Sequence, residues 1–427
     1  VKKPLIVQKF GGTSVGSIER IHQVAEHIIK AKNDGNQVVV VVSAMSGETN
    51  RLMDLAMQVD SVPTARELDV LLAAGEQVSM ALLAMALNKL GCAARSLTGA
   101  QANIVTDNHH NEATITHIDT TAILELLEQD QIVIVAGFQG VNENGDITTL
   151  GRGGSDTSAV TLAGALNADE CQIFTDVDGI YTCDPRVVEN AQKMPVIDFP
   201  SMEAMASRGA KVLHLPSVQY AWKNNVPLRV LSTFDVNEGS LVKGESGHHA
   251  ISGIAIQRDL AFIEVDNEHL SSVTKQCQML GIDIWNVIDE TERTGIMIKQ
   301  DACAKLDLVF SDKIRNSEVV SMLTAVGLEA NGMVEHARDL LAQRDIIVNF
   351  CAVEALTMML VLSPENVDSA ANILHDAYIS SSEVLKIQQN MPFRLIFRNK
   401  VVYENITLLD NSLVARKFRD YSRSKEC

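Results

Sequence analysis

QKFGGTSVGS, Gln8 to Ser17, follows the short apolar run Pro4-Leu5-Ile6-Val7 and precedes a helical pattern from Ile18 onward. A strand therefore enters a glycine-paired loop, and the loop opens a helix. Backbone N–H groups at a helix start attract anions, and Gly11 and Gly12 let the backbone come close to a phosphate. Thr13 and Ser14 add hydroxyls. The stretch fits neither GxxxxGK[ST] nor GxGxxG. Lys9 stands before the glycines, at the strand end, where it can reach the same crevice. A tight strand–helix turn with a surface lysine fits the same letters.

Around this loop, strands and helices alternate. Strand patterns occupy Leu5–Phe10, Val38–Ser43, Ile132–Ala136, Gln172–Thr175 and Leu228–Leu231; helical patterns occupy Ile18–Lys32, Glu67–Leu90, Thr120–Glu128, Ser158–Leu166, Ser201–Ser207 and Ser217–Asn224. Several strands are unbroken Val/Ile runs, as expected of strands buried on both faces. The order predicts an α/β fold with a mainly parallel sheet and helices on both sides. Ligands in such sheets sit beyond the carboxyl ends of the strands.

Three further stretches lie where that rule directs attention. In TTLGRGGSDTSA, Thr148 to Ala159, two glycines follow Arg152, and Ser155 and Asp156 lead into a helix. Arg152 suits a carboxylate, which it can grip through two N–H groups. Asp156 would repel a bare phosphate, so a metal, a Lys/Arg partner or a substrate ammonium is expected beside it. Two anion loops in one sheet suggest two anionic ligands and transfer between them; two unrelated turns are the plainer account. TDVDGIYTCDPR, Thr175 to Arg186, resembles a calcium loop only in part: the twelfth-position Glu is missing and Pro185 intrudes. It suits a nucleotide or Mg²⁺ neighbourhood. In LLAAGEQVSMALLAMAL, Glu76 interrupts an apolar helix and needs a partner or a role, unless it faces solvent.

Composition sets the bounds. The chain has 427 residues, with 46% hydrophobic, 21% charged and 4% aromatic content and a net charge of −18. Two or three domains are expected. The acidity argues against nucleic acid or an anionic membrane as partner. The seven cysteines are scattered and none forms CxxC, which points to free thiols in a reducing compartment. Neither His109-His110 nor His248-His249 has metal-ligand spacing, so no metal site is assigned and solvated loop histidines are expected. With no leader-like apolar stretch at the start, and with Val78–Leu87 too short to span a bilayer, a cytoplasmic protein is expected.

After the softer stretch Asn237–Gly247 the character changes. Helix, strand, strand, helix reads as Leu270–Leu280, Ile282–Ile288, Gly295–Gln300 and Ala302–Phe310, and again as Met333–Gln343, Ile346–Cys351, Thr357–Ser363 and Val367–Ala377. The two sets are offset by about 64 residues, the mark of a tandem pair of small α+β modules. Neither copy carries a catalytic constellation, so a ligand sensor or a dimerisation platform is expected.

KFGGTSV, VSAMSGETNRL, GEQVSMALLA, VAGFQGVNENGDITTLGRGGSDTSA, TDVDGIYTCDPR, GAKVLH and NVPLRV occur in this order. Together they resemble the aspartokinases of the amino-acid kinase superfamily. The resemblance implies the superfamily's three-layer α/β fold over residues 1–236, a linker at 237–250, and two α+β ACT (ferredoxin-like) modules within 251–427. These modules would cover about 254–318 and 319–427, one being discontinuous with parts in Ile254–Val265 and Leu395–Thr407. It implies ATP-dependent phosphorylation of the L-aspartate side chain with Mg²⁺, in a homo-oligomer open to feedback by lysine, with or without threonine.

Residue by residue, Lys9 looks like the lysine at the transferring phosphoryl group, with Gly11, Gly12, Thr13 and Ser14 around it. Ser43 and Thr49 look like substrate-pocket hydroxyls, Glu76 like the ammonium partner, and Arg152 like the α-carboxylate clamp. Gly153, Gly154, Ser155 and Asp156 would line the centre, with Asp156 catalytic beside Lys9 and Arg152. Thr175, Asp176, Tyr181, Arg186 and Lys211 look like nucleotide-side residues. One departure stands out: where relatives commonly read Pro-Arg-Ser after KVLH, this chain has Leu215-Pro216-Ser217. A glutamate-type carboxylate kinase and a catalytically silent regulatory subunit are the competing readings. A basic tail, ARKFRDYSRSKEC, closes the chain and reads as a solvated helix end.

Overall fold

The structure is a computed structural model. It describes residues 3–380, apart from 236, 246–248, 290–292 and 312, together with the strands Arg394–Phe397 and Lys400–Tyr403. The chain forms two compact units. The first comprises Val1–Pro185, Ala191–Arg258 and Thr324–Leu328; the second comprises Arg186–Asn190, Asp259–Leu323 and Glu329–Cys427.

The first unit is built on an eight-stranded sheet. Its order is Val196–Ile197, Ser240–Val242, Leu228–Ser232, Glu170–Thr175, Leu5–Phe10, Gln37–Val42, Ile132–Ala136, Ala94–Leu97. All neighbours pair parallel except Leu228–Ser232 with Ser240–Val242. The run Gln37–Val42 shows why its valines are continuous. Val38, Val40 and Val42 enter one core with helices Ile18–Asn33 and Ala65–Lys89, while Val39 and Val41 enter the other with Gly154–Ala165 and Leu215–Lys223. Alternate residues of one strand feed two helical layers, so no polar position is left. A small four-stranded sheet, ordered Ile115–Ile118, Ile104–Thr106, Gln139–Val141, Ile147–Thr149, was not legible in the periodicity because its strands have three or four residues.

Other differences from the sequence reading have local causes. Helix Gly154–Ala165 begins four residues before the expected Ser158, because Gly153 takes a left-handed conformation (φ 72°) and starts it at once. The helix Glu48–Val59 was not foreseen; left-handed Gly47 starts it in the same way. The apolar helix is also longer than Val78–Leu87. Ala65–Lys89 is long and apolar enough to cross a membrane by length and composition, yet 56% of its apolar window is buried, along with Asp69 and Glu76. It is a core helix.

A six-stranded sheet, to which the second unit contributes all but 253–258 and 324–326, is ordered Ile284–Asp289, Thr294–Lys299, Gly253–Val265, Ile314–Val326, Thr357–Leu362, Phe350–Glu354; its last two strands and its first three pair antiparallel. Helices Asn267–Met279 and Cys303–Phe310 pack in one apolar cluster with Ile263, Ile296 and Ile298. Helix–strand–strand–helix recurs as Val334–Ala342, Phe350–Glu354, Thr357–Leu362 and Val367–His375. The strand expected over Ile346–Cys351 starts only at Phe350. Ile346 instead donates its N–H to Leu341 O at 3.0 Å and closes the preceding helix, after left-handed Asp345. Of Leu395–Thr407, the described residues form part of the antiparallel pair Arg394–Phe397 and Lys400–Tyr403, while 398, 399 and 404–407, like the basic tail, lie outside the described residues.

Candidate active site

The carboxyl ends of the parallel strands converge in the first unit. Strand Leu5–Phe10 delivers Lys9, whose Nζ stands 2.7 Å from Asp156 Oδ1. Both side chains are largely buried. Asp156 lies in the first turn of Gly154–Ala165, where the helix dipole favours a carboxylate. The Lys/Arg partner expected for Asp156 is Lys9.

The glycine loop folds back over the sheet. Gly11 donates its N–H to Phe174 O at 3.4 Å, and Ser14 N and Val15 N bond to Gly11 O. A Cβ on Gly12 would stand 3.0 Å from Ala44 O, so a larger residue would push this loop off Ala44–Ser46. Thr13 is exposed. Ser14 is fully buried, with its hydroxyl 2.6 Å from that of Thr233; it braces the loop from below.

Ala44 also joins the loop to Glu76. Gly75 allows the approach, since a Cβ there would come within 2.8 Å of the Ala44 side chain. Glu76 is 3% exposed and accepts from Ala44 N through Oε1 at 3.1 Å. Its Oε2 is buried without a hydrogen-bond partner. Burial pushes this carboxyl up to about 7, against the opposing hydrogen bond from Ala44. The solvent-facing alternative for Glu76 is thereby excluded. Ser43 is half-buried, and its carbonyl accepts from Ser79 Oγ at 2.7 Å. Thr49 is half-buried in the first turn of Glu48–Val59.

Arg152 is exposed and forms no ion pair among the described residues. It is flanked by left-handed Gly151 and Gly153. A Cβ on Gly153 would lie 2.5 Å from the His214 ring, so no other residue fits there. Gly154 and Ser155 are buried, with Ser155 Oγ close above Gly137. His214 was missed in the sequence. It sits in KVLH, but only proximity to Gly153 marks it.

The Thr175–Tyr181 loop is more self-contained. Thr175 Oγ1 donates to Asp176 Oδ1 at 2.9 Å. Tyr181 OH donates to Asp178 Oδ1 at 2.9 Å, and Lys193 Nζ lies 3.1 Å from Asp178 Oδ2. Burial raises the Asp178 carboxyl, but these two donors outweigh it and hold it below the usual range. Lys211 is an exposed turn residue. Arg186 belongs to the second compact unit.

The paired histidines separate. His109 is solvent-exposed, whereas His110 Nδ1 lies 2.6 Å from the fully buried Asp69, so only the first matches the expected solvated loop residue. Among the described residues no group of three or more His, Cys, Asp or Glu could hold a metal ion. Magnesium does not require one, because it is commonly carried by substrate phosphates and water with one or two carboxylates.

A positive side chain paired with the first turn of the second glycine-supported helix, and a buried acid one partner short that is joined to the first glycine loop through Ala44, thus stand in the first unit. Residues 4–232 match the model of the amino acid kinase family. The aspartate kinase of Pseudomonas putida is 44% identical over 399 residues, covering 88% of this chain and 97% of its own length. Among solved structures, Escherichia coli aspartokinase III with aspartate and ADP has a TM-score of 0.72 at 22% identity, covering 88% of this chain and 100% of its own. The same enzyme with lysine and aspartate has a TM-score of 0.74 at 22% identity, covering 88% and 99%. At that identity the solved structures speak for the fold.

Proposed function

The chain belongs to the amino acid kinase family and, within it, to the aspartokinases, and from that premise we propose that it transfers the γ-phosphoryl group of ATP to the side-chain carboxylate of L-aspartate. A carboxylate oxygen of aspartate forms a bond to the γ-phosphorus, the bond to the β,γ-bridging oxygen breaks, and ADP leaves with that electron pair. The product is 4-phospho-L-aspartate, which opens the aspartate-family route of amino-acid synthesis.

The nucleophile has a reference pKa of about 3.9, so it is ionised at neutral pH and needs no general base. The barrier lies in bringing a carboxylate to a triphosphate, which positioning and fixed positive charge overcome. Lys9, held by Asp156, supplies that charge at the transferring group. Gly11, Gly12, Thr13 and Ser14 form the phosphate loop, Ser14 acting through its brace to Thr233. Arg152 holds the α-carboxylate and Glu76 the α-ammonium of the substrate, with Ser43, Thr49, Gly153, Gly154 and Ser155 lining the pocket. Thr175, Asp176, Tyr181 and Lys211 serve the nucleotide. Magnesium would arrive with the nucleotide and neutralise phosphate charge; Asp156 is the acidic side chain nearest Lys9.

The observation that carries the reading is Glu76: a buried carboxylate with one oxygen lacking a partner is complementary to an ammonium. The test is ATP-dependent acyl-phosphate formation trapped with hydroxylamine, run separately with L-aspartate and L-glutamate. Signal with aspartate alone is expected; signal with glutamate alone, or silence with both, overturns the assignment.

The α+β half is proposed to hold two ACT modules that bind lysine, with or without threonine, and to join subunits into an even-numbered homo-oligomer in the cytoplasm. Titration with both amino acids should change the initial rate; no change in rate or thermal midpoint would remove the sensor role.

A further inference from the structure

Asp69 has no part in the chemistry above, yet it is 0% exposed. It lies on helix Ala65–Lys89, two turns before Glu76 and therefore on the same face. Every contact it makes leads to the substrate side. His110 Nδ1 is 2.6 Å from Oδ2. The Asn111 N–H reaches Oδ1 at 3.1 Å and Oδ2 at 3.2 Å, and Asn111 Nδ2 donates to Oδ1 at 2.6 Å. The Thr149 hydroxyl donates to Oδ1 as well. A buried carboxylate this well supplied with donors is a structural clamp, not a reagent.

What it clamps is the approach to Arg152. Thr149 ends the strand that leads into Gly151-Arg152-Gly153. Asn111 is held at φ 71°, and its carbonyl stands 3.3 Å from where a Cβ on Gly151 would lie. Ala113 N donates to Thr149 O at 2.9 Å, which fastens the same two segments again. Arg152 itself is exposed and without an ion-pair partner among the described residues, so its loop depends on these neighbours for its position.

We propose that Asp69 is a positioning residue for the amino-acid substrate: through Asn111 and Thr149 it sets the loop that carries Arg152, and through the shared helix it ties that loop to Glu76. The role of Arg152 as the α-carboxylate clamp is taken from the proposed function; the tether between Asp69 and the loop is not.

The experiment compares wild type with Asp69→Asn and with Asn111→Gly. The first keeps size but loses the charge and one acceptor; the second keeps the left-handed backbone and its N–H contacts to Asp69 but removes the side-chain bonds to Asp69 Oδ1 and Ala65 O. Steady-state kinetics should show KM for aspartate raised about tenfold in Asp69→Asn, less in Asn111→Gly, with kcat and KM for ATP within about threefold. Limited trypsin digestion is read in parallel. Cleavage after Arg152 should accelerate in both variants while other sites keep their rates. Equal rises in both KM values with faster cleavage everywhere would show a global structural role and overturn the proposal, as would unchanged KM and unchanged cleavage. If wild type does not phosphorylate aspartate, the proposed function falls, and the digestion alone decides the tether.

Discussion

Two regions of the first unit treat buried charge in opposite ways. Around Asp69 every oxygen is supplied: His110, Asn111 and Thr149 converge on one carboxylate. Around Glu76, two turns along the same helix, one oxygen accepts from Ala44 and the other has no hydrogen-bond partner. The helix buries both acids, and burial costs each of them solvation. In the first region the cost is offset within the fold. In the second it is left standing, to be relieved by whatever brings a donor. The first acid is saturated by groups of the fold; the second is one partner short.

The largest expected effect comes from removing the charge at the strand end. Lys9→Ala should lower kcat by about a thousandfold or more, because a fixed charge at the transferring group is lost. Its thermal midpoint should stay close to that of wild type, which circular dichroism melts would check. Near-normal turnover would detach the crevice from phosphoryl transfer altogether.

Glu76→Gln comes next. It keeps the shape but not the charge, and should raise KM for aspartate by about ten- to a hundredfold while leaving KM for ATP near its wild-type value. If both constants move together, the orphaned oxygen is not a substrate contact.

The same residue makes a pH prediction. Its folded value of about 7 lies above the ordinary 4.5, so the folded protein holds the proton more tightly than the unfolded chain. Free of substrate, stability should fall as pH rises from about 4.5 to about 7, by on the order of 3 kcal/mol. Glu76→Gln should abolish that slope in denaturant melts. Substrate ammonium needs the ionised form, so KM for aspartate should rise as pH drops below about 7. A flat profile would place Glu76 among the scaffold acids.

The smallest effect sharpens the contrast. His109 is solvent-exposed and His110 is bonded to Asp69, although they are neighbours. His109→Ala should change neither kinetics nor midpoint measurably, whereas His110→Ala should raise KM for aspartate. Equal behaviour would show that the Asp69 clamp does not depend on its imidazole.

Much of this was legible before the fold was known. The Val and Ile runs announced a sheet covered on both faces, because a strand with no exposed face has no polar positions. Lys9, the glycine pairs and Arg152 were legible because loop chemistry at a helix start is local. Helix Glu48–Val59 was not, since its start depends on left-handed Gly47 and not on any apolar rhythm. The Asp69–His110 pair spans 41 positions, and the contact of His214 with Gly153 is equally non-local. No window of sequence contains either.

Residue order therefore settled the kinds of groups available: an amine at a strand end, two glycine loops, a guanidinium between glycines, and two acids within one apolar helix. Tertiary structure settled which of them are satisfied. Asp156 needed a positive neighbour, and folding brings Lys9 from 147 positions away. Glu76 could have faced water, and it is buried one partner short. The physical reason is that a polar group's free energy depends on the donors and water within about 3 Å of it, and those neighbours arrive from distant parts of the chain only when it folds.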